Sequence, residues 1–165
     1  MRCLISLLCI AAFAADPPLR RAPGFSLPDL QLKQHDSQDY RGKLLVLDFI
    51  QTTCPHCKRF SAILNEVVAK YGDRVGVLTV VLPPDTQNTV QEYIVRNEIK
   101  FPLVFDCGQV AASYMQILPS NPKIAVPHAY IIDGNGMIRR DFTYGPDTEP
   151  IFEGKALFAE LDKLL

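Results

Sequence analysis

An α/β fold, with a mixed central sheet between helical layers and a short hairpin ahead of it, is what this sequence predicts. Three observations carry that prediction. Two continuous apolar runs, Leu44–Ile50 and Val75–Leu82, have the pattern of strands covered on both faces in a parallel sheet. Helical spacing of apolar residues follows each of them. Late in the chain, Asp133-Gly134-Asn135-Gly136 separates Ala129–Ile132 from Met137–Phe142, a strong hairpin signal. Three βα units followed by a hairpin and a helix imply a mixed sheet.

The elements can be justified in order. Residues 1–15 read as a secretory signal peptide: Arg2 gives a positive start, Leu4 to Phe13 is too short to span a bilayer, and Ala12-Phe13-Ala14 surrounds a cleavage point near Ala14 or Ala15. An uncleaved anchor is the alternative, and the only route by which a membrane enters. Lipidation at Cys9 fits less well, because Ser6-Leu7-Leu8 lacks the small residues expected just before a lipidated cysteine. Residues 16–28, rich in proline and holding Arg20-Arg21, read as an extended leader on the surface, and residues 29–165 as the folded domain. Phe25–Leu30 and Gln31–His35 suit the short hairpin, and Ser37–Lys43 a polar turn.

Phe60, Ile63, Leu64, Val67 and Tyr71 fall at helical spacing from Pro55, and Gly72 ends the helix. Pro55 suits the first turn, where its missing N–H has no partner to lose. Thr86–Asn97 reads as a second helix, with Thr89 and Glu92 as a capping box. Pro102–Phe105 is a short strand and Gln109–Gln116 a short helix. A loop with Pro119, Pro122 and Pro127 follows, and Leu157, Phe158, Leu161 and Leu164 mark a closing amphipathic helix.

Composition narrows the function. The 165 residues suffice for one domain with a real core, and 48% hydrophobic against 21% charged residues is a globular balance. A formal net charge of −1 shows no basic excess, which argues against nucleic acid as a partner. Of five cysteines, Cys3 and Cys9 leave with the signal and Cys54, Cys57 and Cys107 remain, a usage that fits export.

The chemistry centres on Cys54-Pro55-His56-Cys57, which follows the first core strand and opens a helix. Cysteines at i and i+3 share a helix face, so their sulfurs can bond as a Cys54–Cys57 disulfide. Cys54, at the helix mouth, is the expected nucleophile, because amide N–H groups and the dipole favour a thiolate there. His56 can add positive charge or a hydrogen bond to that thiolate, and stabilising the reduced form makes the disulfide a stronger oxidant. Cys57, set behind, resolves the mixed disulfide. A CxxC can also be half of a zinc site, but four ligands are needed and no second CxxC or HxxxH occurs. A purely structural disulfide across this spacing is uncommon. No cofactor is called for. Asp48 lies six residues before Cys54, inside the apolar strand. A buried acid is costly unless used, and a raised pKa would let it shuttle the Cys57 proton; an inert, hydrogen-bonded acid is the bland alternative.

Several stretches carry a resemblance: Ala22-Pro23-Gly24-Phe25-Ser26-Leu27-Pro28-Asp29-Leu30, Tyr40-Arg41-Gly42-Lys43, Asp48-Phe49, Cys54–Cys57, Val126-Pro127 and Ala129–Gly136. In this order and spacing the chain resembles the thioredoxin-fold thiol–disulfide oxidoreductases, within them the exported TlpA/ResA-like group, which borders on the redoxin (AhpC/TSA-like) families. The resemblance implies that Asp48 is the buried acid under the disulfide. It implies that Pro127 is the cis-proline facing the CxxC, and that Val126 offers backbone groups to an extended substrate strand. Partners would be proteins with cysteines or disulfides, and a redox partner that recycles the CxxC, in the periplasm or outside the cell. There are departures. Thr53 replaces the usual aromatic residue before the first cysteine, the Pro-His pair is similar to that of periplasmic dithiol oxidases, and the loop from Leu118 to Val126 is long. Gln51 stands where a peroxidatic cysteine would have a Thr three residues before it.

Three further residues bear on alternatives. His128, directly after Pro127, is expected near Cys54. There it would tune the thiolate, join Cys54 and Cys57 as a copper ligand in the manner of a metallochaperone, or pack at the groove edge. Cys107 reads as a buried or incidental thiol, with a third redox cysteine as the alternative. His35 carries no expected role.

Overall fold

The sheet is built outward from its most apolar strand. In the computed structural model, which describes residues 18–120 and 122–165, β4 (Leu44–Ile50) is buried at every position. It lies between β5 (Val75–Val81), parallel to it from Leu44↔Val75 to Ile50↔Val81, and β7 (His128–Ile132), antiparallel to it. With β1 (Arg20–Arg21), β6 (Leu103–Phe105) and β8 (Met137–Thr143), the order is β1-β8-β7-β4-β5-β6, a mixed sheet. β2 (Ser26–Pro28) and β3 (Gln34–Asp36) form the separate N-terminal hairpin, in which Leu27 faces His35 across the pair. The His35 imidazole closes it on the Asp29 carboxylate at 2.8 Å, so this histidine has a structural task that its polar surroundings did not reveal.

The parallel pairs need crossovers, and helices supply them. α1 (Pro55–Tyr71) ends where Gly72 adopts a positive φ of 54°, as its sequence predicts. α2 (Gln87–Arg96) is capped a turn earlier than expected. The Thr86 hydroxyl accepts from the Thr89 amide and the Thr89 hydroxyl from the Thr86 amide, so the box is Thr86–Thr89 rather than Thr89–Glu92. α3 (Gln109–Tyr114), a short α4 (Glu149–Phe152) that has no sequence signal, and α5 (Lys155–Leu164) complete the set.

The period-2 alternation of β4 divides the interior into two cores. Leu44, Val46 and Ile50 face Phe60, Leu64 and Val67 of α1 together with apolar residues of α2, α4 and α5. Leu45, Leu47 and Phe49 face the other side, against Phe25 and the α3 residues Ala111 and Tyr114. The same alternation puts Asp48 on the α1 side.

The leader is not an open surface strand. Arg20 and Arg21 pair with Ile138 and Met137, the amides of Leu19 and Ala22 extend the ladder, and the Tyr114 hydroxyl donates to the Pro23 carbonyl at 2.8 Å. Unpaired N–H and C=O groups on the edge of β8 are what recruit it. The signal peptide expected over residues 1–15 lies outside the described residues, as do Asp16 and Pro17. Among the described residues, no helix is long and apolar enough to cross a membrane.

Candidate active site

β4 ends at Ile50, and a three-residue turn delivers Cys54 to the N-cap position of α1. Its extended backbone lets the side chain fold back, and the Cys57 amide donates to the Cys54 sulfur at 3.2 Å. That is the capping arrangement a serine or aspartate would make, here using a sulfur, and it places the helix's unsatisfied N–H groups around the thiol. Pro55 occupies the first turn, where it removes no hydrogen bond. Cys54 is half-buried, Cys57 has no exposure, and both are thiols, the reduced counterpart of the expected disulfide.

The other wall of the site is the segment before β7. The Val126 carbonyl lies 3.9 Å from the Cys54 sulfur, and the Val126–Pro127 peptide is cis, as the resemblance implies. Pro83–Pro84 is cis as well, which no sequence signal marked.

Beneath the cysteines lies Asp48, with no exposed surface and no hydrogen-bond partner for either carboxyl oxygen among the described residues. Burial pushes its pKa well up, and the Phe49 amide, near but short of hydrogen-bond geometry, opposes this weakly. Burial likewise pushes the Cys57 thiol up, followed by the negative charge of Asp48 and the contact with Cys54. A carboxyl whose pKa burial lifts is matched more closely to the thiol above it than an ordinary carboxylate is, the condition for a proton to move from one to the other. Two neighbours of this pair were not legible in the sequence. Thr79 faces Asp48 directly across β4 and β5, and its hydroxyl likewise lacks a partner among the described residues. Tyr93 of α2 bonds Ser61 at 2.8 Å, and burial pushes its phenol up.

His56 makes no hydrogen bond to the thiol. Arg59 approaches its Nδ1 at 2.5 Å, and the ring lies on Tyr144 with centroids 4.1 Å apart. His128 is a correction. It pairs with Phe49 rather than with Asp48, so alternation turns it to the opposite face of the sheet from α1. There it is buried and stacked on Tyr130 at 4.7 Å, with Nε2 2.7 Å from Asp141 and Nδ1 3.3 Å from Thr143. The Cys54–Cys57–His128 ligand set is therefore not assembled, and no group of three His, Cys, Asp or Glu among the described residues is placed to hold a metal. Cys107 is exposed rather than buried; it lines a cavity of about 190 Å³ with Gln51, Leu82, Pro83, Ile124 and Val126.

This geometry can be compared with known proteins. The AhpC/TSA family model matches residues 18–141. The chain belongs to the AhpC/TSA family. The thiol-disulfide oxidoreductase ResA of Bacillus thuringiensis subsp. konkukian is 29% identical over 120 residues, 72% of this chain. The chain covers 65% of that relative's length, less than two thirds. ResA of Geobacillus thermodenitrificans is 30% identical over 122 residues, covering 74% of this chain and 67% of the relative. Among solved structures, a thiol-disulfide oxidoreductase from Bacteroides fragilis superposes with a TM-score of 0.69 at 20% identity, over 88% of this chain and all of that one (100%). That likeness establishes the thioredoxin-like fold.

Proposed function

We propose that this family member is an extracytoplasmic thiol–disulfide oxidoreductase that exchanges disulfides with cysteines of other proteins. The observation that carries the reading is the pairing of Cys54, half-buried and capping α1, with Cys57, fully buried above Asp48. In the reducing direction the Cys54 thiolate attacks a substrate disulfide, and one substrate sulfur leaves as a thiolate and takes a proton. Cys57 then gives its proton to the Asp48 carboxylate and attacks the Cys54 sulfur. The second substrate thiol is released and a Cys54–Cys57 disulfide remains, so two electrons pass from the protein to the substrate. Dithiol oxidation is the same path reversed, and a second redox partner resets the pair. Val126 and Pro127 offer the backbone edge along which an extended substrate lies, beside Pro55. Export rests on the N-terminal segment and on the use of cysteine.

The dithiol sits above thioredoxin's potential of about −270 mV, toward the about −120 mV of the strongest oxidants, because the site around His56 favours the reduced state. Glutathione redox titration measures this, and a value at or below thioredoxin's refutes it. Activity reads out the rest. Cys54→Ser abolishes insulin reduction and dithiol oxidation, and Cys57→Ser accumulates a mixed disulfide with the natural partner. Activity retained by Cys54→Ser overturns the reading.

A further inference from the structure

Tyr144 lies ninety residues beyond Cys54 and connects the two walls of the site. Its amide donates to the carbonyl of cis-Pro127 at 3.2 Å, which ties the backbone after β8 to the loop that faces the thiol. Its ring lies against the His56 imidazole, with centroids 4.1 Å apart and planes at 34°. On its other side it meets Phe152 edge-on at 5.5 Å, and Phe152 packs in the same way on Phe60 of α1 at 4.8 Å. The tyrosyl hydroxyl donates to Glu149 of α4 at 3.4 Å. The ring is therefore held in a built slot between α1, α4 and the cis-proline loop.

The second contact on His56 fixes its chemistry. A guanidinium carries only donors, so the Arg59 N–H at 2.5 Å makes Nδ1 of His56 the acceptor, and the ring proton sits on Nε2. The Arg59 cation then polarises the ring so that Nε2–H is its positive pole.

We propose that Tyr144 and Arg59 are the positioning residues of this site: together they fix the plane and tautomer of His56 beside Cys54 and hold the cis-proline loop to α1. The inference rests on the oxidoreductase reading and assigns the control of its potential.

The test is the equilibrium of the Cys54/Cys57 pair with glutathione, measured on the full chain. Tyr144→Ala, Arg59→Met and His56→Ala each shift the equilibrium toward the disulfide by at least about twofold, the lower end for residues in contact. Tyr144→Ala combined with His56→Ala shifts it no further than the larger single change. Tyr144→Phe, which keeps the ring, restores the wild-type value. Nitrogen-15 spectra of His56 show an unprotonated Nδ1 that becomes a tautomer mixture in Arg59→Met, a signature that simple loosening of the loop does not produce. Additive shifts in the double variant, or a protonated Nδ1 in the wild type, overturn the proposal. A wild-type pair that does not exchange with glutathione at all overturns the oxidoreductase reading instead.

Discussion

Replacing Asp48 with asparagine removes an ionisable group that has no exposure and no hydrogen-bond partner among the described residues, at nearly constant volume. Burial raises its pKa above the ordinary 3.8, so the folded chain binds this proton more tightly than the unfolded chain. The contribution to stability is then full below the ordinary value and is lost as pH rises through the raised one. One proton gives a slope of at most about 1.4 kcal/mol per pH unit, or up to about 2.7 kcal/mol over two units. Asp48→Asn has no such term. Urea unfolding of the reduced protein between about pH 4 and pH 7 should show the wild type losing stability relative to the variant by up to that slope. A Cys57→Ser background removes the thiol whose pKa Asp48 itself raises. The same substitution should slow the resolution of the mixed disulfide, because Cys57 loses its proton acceptor. Parallel pH profiles for the two proteins would refute both the buried ionisation and the proton transfer built on it.

Other perturbations probe the frame and the corrected residues. Phe60→Ala empties a fully buried position against Phe152 and should cost about 3–5 kcal/mol in urea unfolding. Gly76→Ala would bring a Cβ to 2.3 Å from the Tyr40 ring, and displacing that ring should cost about 1–3 kcal/mol, read as a lower unfolding midpoint. His128→Ala should leave the glutathione equilibrium of Cys54 and Cys57 at its wild-type value, since the imidazole lies on the opposite sheet face with both nitrogens engaged. A shift there would mean that His128 reaches the thiol after all. Asp29→Asn should loosen the N-terminal hairpin and speed amide exchange at Ser37, because the carboxylate holds His35 and the amides of Gln31 and Lys33.

Local chemistry was legible wherever neighbours in sequence are neighbours in space. The run Leu44–Ile50 announces a strand buried on both faces because no polar face is left for water. The helix from Pro55 to Tyr71 carries its own start and stop in Pro55 and Gly72, and Cys54 with Cys57 needs only one turn of that helix to meet. Asp48 was conspicuous because an acid inside such a run requires a reason. Contacts made across the fold carry no comparable trace. Arg20-Arg21 looked like a leader because two residues have no periodicity, and only the open edge of β8 makes them a strand. His128 follows Pro127 and so looked close to the thiol, yet the parity of its pairing with Phe49 sends it to the far side of the sheet. Cys107 beside Gly108 and Tyr144 in a polar loop gave no sign of the surfaces they reach.

The sequence by itself determined the α/β order of elements, the two buried strands, the cysteine pair at a helix mouth and the acid beneath it. Each of these is set by covalent adjacency and by the periods of strand and helix. Tertiary structure decided which groups surround that pair: Arg59 and Tyr144 on His56, Thr79 beside Asp48, Val126 against Cys54. The physical reason is that register and sheet order depend on the summed burial of the whole chain, so contacts between distant residues are fixed only once the sheet has closed around its core.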